Sequence, residues 1–418
     1  MHKNENRPGY KKTKVGWIPE GWDVAPICKT TSYADYRGKT PPKSSSGRFL
    51  VTAKNIQPGY INYENSKEYI PEETYEAVMS RGIPKIGDVL ITTEAPLGNI
   101  ASIDREDIAL AQRVIKYRAN PERLTGSFLK HFMMGPVFQT SLDKEATGGT
   151  VKGIKGSRLH KLPLVLPSLP EQEAIAEVLE CWDKGIRTLE NKLVKKRLIK
   201  KGLMQKLLSG QIRLSGFSKP WKNVRLGEVL TEHKENGSGK EEVHSVSVHK
   251  GVINQVEHLG RSFSAKDTTN YNLVKPGDII YTKSPTGDFP LGIIKQCMLT
   301  KTAIVSPLYG VFTPMTKHLG LMLHCFFDSP VNTGNYLRPI IQKGAKNTIN
   351  ITNTTFLSGK MTLPLDKEEQ RAIAEVLAAA DRELEALERK LALWKNQKKF
   401  LLNNLVTGTV RLPAFAGK

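Results

Sequence analysis

Apolar residues along this chain recur with two different periods. Ile175, Leu179, Trp182, Ile186, Leu189 and Leu193 step by four and three residues, and so do Ile373, Leu377, Ala380, Leu384, Leu387, Leu391 and Trp394. A repeat of about 3.5 residues keeps apolar side chains on one seam of a helix and leaves charges outside. Pro170 stands just before the first run, where its missing N–H costs nothing, and Gly210 and Gly408 close the two runs as C-terminal stops. The spacing predicts two helices, each about 40 residues and roughly 55–60 Å long. Neither can bury such a seam alone, so the two are expected to pack as an antiparallel coiled coil, each intervening segment returning the chain to the far end. The alternative is an ordinary core helix within each domain, which strict heptads and charged outer faces disfavour.

Outside the helices the period shortens. Residues 48–118 hold short runs (RFLVTAKNI, GDVLITT, NIASI, RVIKYRA) broken by Gly and Pro, and residues 243–313 hold VHSVSVHKGVI, GDIIYTK, LGIIK and TAIVSPLYGVF. Val, Ile, Tyr and Thr between turn residues predict strands. A more helical stretch follows in each, SFLKHFMMGPVFQTSL and GLMLHCFFDSPVNTGNYLRPII. Each block therefore reads as a mixed α+β domain of about 150 residues.

The alternation is a duplication. Residues 171–214 match 369–412 at a constant offset of 198, with 20 identities in 44 ungapped positions. Trp22 answers Trp221, Gly87-Asp88-Val89-Leu90 answers Gly277-Asp278-Ile279-Ile280, and Pro96-Leu97-Gly98 answers Pro290-Leu291-Gly292. The blocks end in similar proline-containing exits, LPLVLPSLPEQ and MTLPLDKEEQ. The expected fold class is α+β: two mixed domains, 1–160 and 215–360, separated and followed by helical segments at 161–214 and 361–418, with a pseudo-two-fold internal repeat.

Charge adds the first functional clue. Of 418 residues, 62 are Lys or Arg and 41 Asp or Glu, a formal net charge of +21. Residues 1–160 carry +7 and residues 215–367 also +7, against +4 for 171–214 and +1 for 368–412. Two separate basic blocks favour a polyanionic partner; the bland alternative is a basic protein of no specificity. An apolar fraction of 39% argues against disorder. No run reaches the length of a membrane span, and the N-terminal residues lack the apolar core of a secretory signal, so a cytoplasmic protein without a membrane partner is expected. Cys28, Cys181, Cys297 and Cys325 are too scattered for a zinc or disulfide framework.

Chemical motifs are missing. Gly237-Ser238-Gly239-Lys240 has Lys234 where a phosphate-binding loop needs its leading glycine, and Glu241 where it needs Ser or Thr. No dinucleotide fingerprint, metalloprotease motif, nucleophile elbow or methyltransferase loop appears. His244 and His249 have no cysteine or acidic cluster beside them to hold a metal. A binding protein without catalytic residues, metal or cofactor is expected.

Against that background, the run PSLPEQEAIAEVL at 167–179, its copy at 369–377, and the endings LLSGQIRL (207–214) and LVTGTVRL (405–412) resemble the helical regions of type I restriction-modification specificity (S) subunits. Tyr36-Arg37-Gly38-Lys39-Thr40-Pro41-Pro42-Lys43, followed by Thr52-Ala53-Lys54-Asn55-Ile56, resembles one type of their target recognition domain. The resemblance covers essentially the whole chain. It implies that each recognition domain reads one half of a bipartite double-stranded DNA site, the half-sites being unrelated in sequence. It further implies that the helices set the gap and hold two methyltransferase (M) subunits, which use S-adenosylmethionine, and that restriction (R) subunits join for cleavage. The competing expectations are a stand-alone bipartite DNA-binding regulator and a coiled-coil nucleic-acid scaffold without a restriction partner. The second is disfavoured because neither block shows the paired aromatic motif of RNA-binding sheets.

Base readout needs amides and guanidinium groups on base edges, with cations on phosphates. The expected readers in the first block are Tyr36, Arg37, Lys39, Lys43, Lys54 and Asn55, then the turn Thr92-Thr93-Glu94 with Thr93 foremost, and Gln112 and Arg113. Gly38, Pro41 and Pro42 are expected to shape the loop. In the second block they are His249, Lys250, the loop residues Lys283, Ser284 and Thr286, and Lys343, Lys346 and Asn347. For the spacer and its methyltransferase interface, the candidates are Glu171, Gln172, Ile175, Leu179, Trp182, Ile186, Leu189 and Leu193, with Gln370, Ile373, Leu377, Leu384, Leu387, Leu391 and Trp394. Glu171, Gln172, Glu369 and Gln370 are expected either to cap their helices or to meet the M subunit; Trp182 and Trp394 are expected to pack in the core. The run Lys195-Lys196-Arg197 with Lys200-Lys201 reads as a solvated face or an M contact. Its replacement by Leu393-Trp394-Lys395 in the second copy argues against two identical interfaces.

Overall fold

The computed structural model describes residues 5–38, 40–260, 267–343 and 349–416. They form two compact units, residues 1–190 with 389–418, and residues 191–388. Both boundaries fall inside the long helices rather than near 160, 214 and 360. The reason is that each block's core takes in one end of each helix.

The first unit is built on an antiparallel sheet of β1 (Thr31–Asp35), β2 (Val89–Thr93), β3 (Leu97–Ser102) and β4 (Val114–Ala119), in the order β3-β2-β4-β1. Helix α1 (Gly126–Met134) covers one face, started by the Thr125 hydroxyl, which accepts from the Phe128 N–H. Val89, Ile91, Ile115 and Tyr117 from the sheet and Phe128 and Phe132 from α1 are fully buried together. On the other face, Arg48–Val51 pairs with Ile108–Leu110 and Tyr69–Ile70 over a second core around Leu50, Leu90 and Leu110. The helix α2 (Leu169–Leu208) begins two residues earlier than its sequence suggests, so Pro170 lies inside its first turn. First-turn amides have no intrahelical acceptor, and the proline is tolerated there.

The second unit repeats the plan. Strands β5 (Leu230–Glu232), β6 (Ile279–Thr282), β7 (Ile293–Gln296) and β8 (Gly310–Pro314) run in the order β7-β6-β8-β5, and α3 (Lys317–Phe327) packs on them. In both units a Gly-Asp pair starts the second strand of the sheet. Gly87 and Gly277 sit at φ +87° and +95°, and the carboxylates of Asp88 and Asp278 accept from the Lys85 and Lys275 N–H groups at 2.9 and 2.8 Å. The proline-containing exits are strands too: Pro163–Leu166 pairs with Asp23–Pro26, and Lys360–Leu363 with Lys222–Arg225. Each pairing brings the tryptophan just ahead of its first strand, Trp22 or Trp221, to the start of a long helix.

The second long helix, α4, runs Lys367–Leu405. Ile175 and Leu179 at the start of α2, with Leu402, Leu405 and Val406 at the end of α4, complete the first unit's core. Ile373 and Leu377 at the start of α4, with Leu207 at the end of α2, pack on Met322 and Cys325 in the second. Within each unit, then, one helix start lies beside the other helix end. Asp183 pairs with Lys398, and Lys395 with Glu190 at 2.6 Å; Lys200 pairs with Asp381, and Arg197 with Glu388 at 2.6 Å. Numbers rising on one helix as they fall on the other make the pairing antiparallel. Ile186, Leu189 and Leu193 are buried, whereas Leu384, Leu387 and Leu391 remain half-buried because a two-helix seam covers only a narrow stripe.

The repeated Glu-Gln dipeptides are internal fasteners. Glu171 accepts from Trp22 Nε1 at 2.9 Å and, from both sides of its carboxylate, from Arg411 at 2.9 and 2.8 Å. Glu369 does the same with Trp221 at 3.2 Å and Arg213 at 2.5 and 2.8 Å. Gln172 accepts from the Thr125 N–H at 2.9 Å and donates to the carbonyls of Arg123 and Pro167. Gln370 accepts from the Thr316 hydroxyl at 2.6 Å and donates to the Pro364 carbonyl. All four are buried to within 1%.

Two stability predictions follow from these contacts. Removing the charge of Glu171 leaves the partly buried Arg411 guanidinium without that counter-ion, so Glu171→Gln is expected to cost about 3 kcal/mol, read as a lowered urea midpoint. The second concerns pH. Burial first, then Lys130 and Lys398, pushes His131 well below the usual imidazole range. Burial first, then Lys295, brings His324 to about 4. Both are neutral when folded, whereas the unfolded chain binds protons below about pH 6.5, so stability is expected to fall as pH drops through 6.5. The slope should be at most about 1.4 kcal/mol per pH unit for each histidine, and His324→Phe should flatten it in urea unfolding at pH 5 to 7.5.

Candidate nucleic-acid interface

In the first unit a cleft of about 490 Å³ opens at the ends of β2 and β4. Arg37, Thr93, Gln112 and Arg113, which the sequence scatters over 76 positions, line it together, with Glu94, Val151 and Lys155. The strand register brings them there. Thr92 faces Val114, and the Thr93 N–H continues the ladder to the Arg113 carbonyl at 3.0 Å. Thr93 itself is buried, with its hydroxyl turned to that same carbonyl, so it builds the wall. The Arg113 and Glu94 side chains are each about half exposed, 3.9 Å apart.

Arg37 is held from below. Its guanidinium grips Asp35 and donates to the Ile154 carbonyl at 3.2 Å. The hydrogen bond with Asp35 raises its pKa; burial works against the Asp35 charge, but Arg37 outweighs it and keeps that carboxyl below its ordinary value. Gly156 lies so close that a Cβ there would stand 2.4 Å from the Arg37 guanidinium.

The far wall is the loop 147–155, which sequence reasoning missed. Thr147 and Gly153 exchange both backbone hydrogen bonds, at 2.8 and 2.9 Å, and the Ile154 N–H reaches the Thr93 carbonyl at 3.1 Å. Gly148 sits at φ +115°, where a Cβ would meet the Val151 carbonyl at 2.2 Å, so only glycine closes this loop. Lys155 is exposed at its edge, and Lys152 pairs with Asp143 at 2.5 Å. The signal that marks this loop in the sequence is its run of glycines with lysines, Gly148, Gly149 and Gly153 with Lys152 and Lys155.

Other expected readers lie elsewhere. Lys43 and Lys54 are exposed, and Lys43 pairs with Glu68 at 2.7 Å. Two corrections concern the loop at 36–55. Asn55 is fully buried: its amide accepts from the Thr52 N–H and hydroxyl and donates to the carbonyls of Asn62 and Ser66, which ties a turn and leaves no edge for a base. Tyr36 is buried, its hydroxyl donating to the Gly82 carbonyl, and burial pushes the phenol above its ordinary value. Lys39 lies outside the described residues.

In the second unit, His249 and Lys250 are exposed on the turn between strands His244–Ser247 and Gly251–Asn254. Lys283, Ser284 and Thr286 are exposed on the separate loop between β6 and β7, and burial of its stem lowers the Lys283 pKa, Glu232 opposing this. Lys343 belongs to a short strand paired with Ile349–Asn350; Lys346 and Asn347 lie outside the described residues.

The spacer also needs correction. Glu171, Gln172 and Gln370 are buried fasteners, not surface for a partner. Of the cationic run, Lys196, Arg197 and Lys200 are engaged by Glu383, Glu388 and Asp381 of α4, leaving Lys195 and Lys201 exposed. Trp182 and Trp394 meet edge-on at 5.8 Å, and Gly185 makes room for the Trp394 indole.

Comparison with known proteins reaches the same region. A family model described as the type I restriction modification DNA specificity domain matches residues 37–196, which take in the cleft and most of α2. A specificity subunit of Methanocaldococcus jannaschii, MjaX, is 24% identical over 99% of this chain and 98% of its own. The EcoKI specificity subunit of Escherichia coli K12 is 22% identical over 97% and 90%. Among solved structures, an S subunit from M. genitalium shares the fold with a TM-score of 0.57 at 14% identity, over 92% of this chain and 96% of that one.

The cleft predicts different outcomes for its wall and its rim. Asn55→Ala is expected to lower stability by about 2 kcal/mol, whereas Lys155→Ala should leave stability within about 0.5 kcal/mol. In fluorescence-anisotropy titrations with duplex DNA, Lys155→Ala should instead reduce the salt slope of log K by about 0.9, the signature of one lost phosphate contact.

Proposed function

The chain belongs to the specificity subunits of type I restriction-modification systems, and from that premise we propose that it reads a bipartite duplex site, one half with each unit. The observation that carries this reading is the duplication. Two units with one sheet order, one Gly-Asp turn and one Trp–Glu–Arg fastener are two recognition modules on one chain. Their mouths differ in side chains, which supports two unrelated half-sites.

The long helices are the spacer in this reading. A paired helix resists bending and changes length only by whole residues, so its length sets the separation of the half-sites. Their outer faces, with Lys195 and Lys201, are the surface offered to two adenine-methylating M subunits. S-adenosylmethionine belongs to those partners, and R subunits join the assembly for cleavage. This chain contributes recognition and no chemical step.

The test is a methylome. Co-expression with the methyltransferase encoded beside it should create a new bipartite motif, methylated once on each strand and lost when this chain is omitted. A soluble complex that leaves no new mark would instead support a stand-alone regulator. The spacer is tested by inserting one heptad at facing positions of α2 and α4, which lengthens the pair by about 10 Å. The gap is then expected to grow by about three base pairs with both half-sites unchanged; an unchanged gap removes the helices from that role.

A further inference from the structure

The two sheets share a register, so their positions can be compared one by one. In the first unit Val89 faces Tyr117 and Thr92 faces Val114; in the second, Ile279 faces Phe312 and Tyr281 faces Gly310. Beyond the ladders the chain turns at the same place in both units: the Val114 N–H closes on the Ala111 carbonyl at 3.2 Å and the Tyr309 N–H on the Ser306 carbonyl at 3.0 Å, so Gln112 and Arg113 hold the turn positions of Pro307 and Leu308, beside Thr93-Glu94 and Lys283-Ser284 at the ends of the second strands. Below this level the second strands are fully buried in both units, as Val89-Leu90-Ile91-Thr92 and Ile279-Ile280-Tyr281-Thr282. At the mouth the pattern breaks: Glu94 and Arg113 occupy the positions held in the second unit by Ser284 and Leu308.

Each of these choices has a cost if it serves only the fold. Glu94 places a carboxylate among Arg37, Arg113 and Lys155, in a cleft whose cations would otherwise attract phosphate uniformly. A carboxylate repels phosphate and gains only from an amino group, such as cytosine N4. Arg113, 3.9 Å away, presents the fork that fits guanine O6 and N7. The loop 147–154 holds Glu94 in place, since Gly153 lies against its Cβ and Cγ and bridges its backbone. Leu308 is 77% exposed, the most exposed large apolar side chain among the described residues. Water gains nothing from it, whereas a thymine methyl in a major groove does.

Resting on the reading of the two units as half-site readers, we propose that these paired strand ends select bases in both modules. Glu94 and Arg113 require a G·C pair in the first half-site, and Leu308 requires a thymine in the second. The assignment uses the scaffold's register and the donor and acceptor pattern of the base edges.

The experiment equilibrates the full chain, co-purified with its methyltransferase, with a duplex pool randomised across both half-sites, and sequences the bound fraction. Wild type should enrich a bipartite motif with one invariant G·C pair in one half and one invariant A·T pair in the other. Glu94→Gln and Arg113→Ala should each relax that G·C pair by roughly 10-fold or more while leaving the other half intact. Glu94→Gln should also bind unrelated duplex more tightly, since one phosphate-repelling charge is gone. Leu308→Ala should relax only the A·T pair, by about 10-fold. Circular dichroism melts should match wild type, because Leu308 is exposed and Glu94 and Arg113 stand half exposed at the rim, outside the cores. If wild type enriches a motif that all three variants preserve, the base assignment is overturned and the half-site reading stands. If wild type enriches no motif, the half-site reading fails and takes the assignment with it.

Discussion

Two buried carboxylates hold this protein together. Taking a charge out of water costs several kcal/mol unless every lone pair finds a donor in good geometry. Glu171 and Glu369 each meet that condition with a two-pronged arginine and an indole N–H. What matters is where the donors come from. Glu171 stands at the start of a helix, Trp22 just ahead of the strand Asp23–Pro26, and Arg411 240 residues further along the chain. One ion pair therefore closes the first unit only when the end of the chain has returned to it. Arg213 and Trp221 close the second unit around Glu369 by the same geometry.

With the helix ends fixed, the middle of the pair is free to differ between copies, and it differs in matched sets. Asp183–Lys398 and Lys200–Asp381 are counterparts across the repeat, as are Glu190–Lys395 and Arg197–Glu388. Where the first unit packs Trp394 over Gly185, the second pairs Lys196 with Glu383 at 2.7 Å. An indole needs the space a glycine leaves; an ammonium needs a carboxylate. Each solution requires both of its members, so the change in one helix is answered in the other.

The mouths of the two sheets follow a different rule. Strand positions that face the cores must be apolar and well packed, and they agree in character between units. Beyond the last buried residue that constraint lapses, so Glu94, Gln112 and Arg113 can stand where the other unit has Ser284, Pro307 and Leu308 without cost to packing. Glycines at 148 and 156 let a loop and an arginine close on the first mouth with no room to spare. Recognition surface and scaffold thus share a strand but answer to different physics.

The sequence by itself determined the duplication, the two long helices, the mixed α+β blocks and the basic charge of each. Periodicity, turn residues and charge are local properties, and they survive in one dimension. It also brought Arg37, Gln112 and Arg113 forward, because guanidinium and amide groups are the ones that base readout calls for. What it left undecided was which polar residues face inward. Asn55, Tyr36, Glu171, Gln172 and Gln370 carry the chemistry of readers and contacts, and only the fold turned them toward backbone carbonyls, N–H groups, an indole and a partly buried arginine. The cleft wall at 147–155 and the partners of the cationic run on α2 were likewise fixed by residues far away in the chain. A polar side chain's role depends on whether water or protein satisfies its hydrogen bonds, and that is decided by tertiary packing alone.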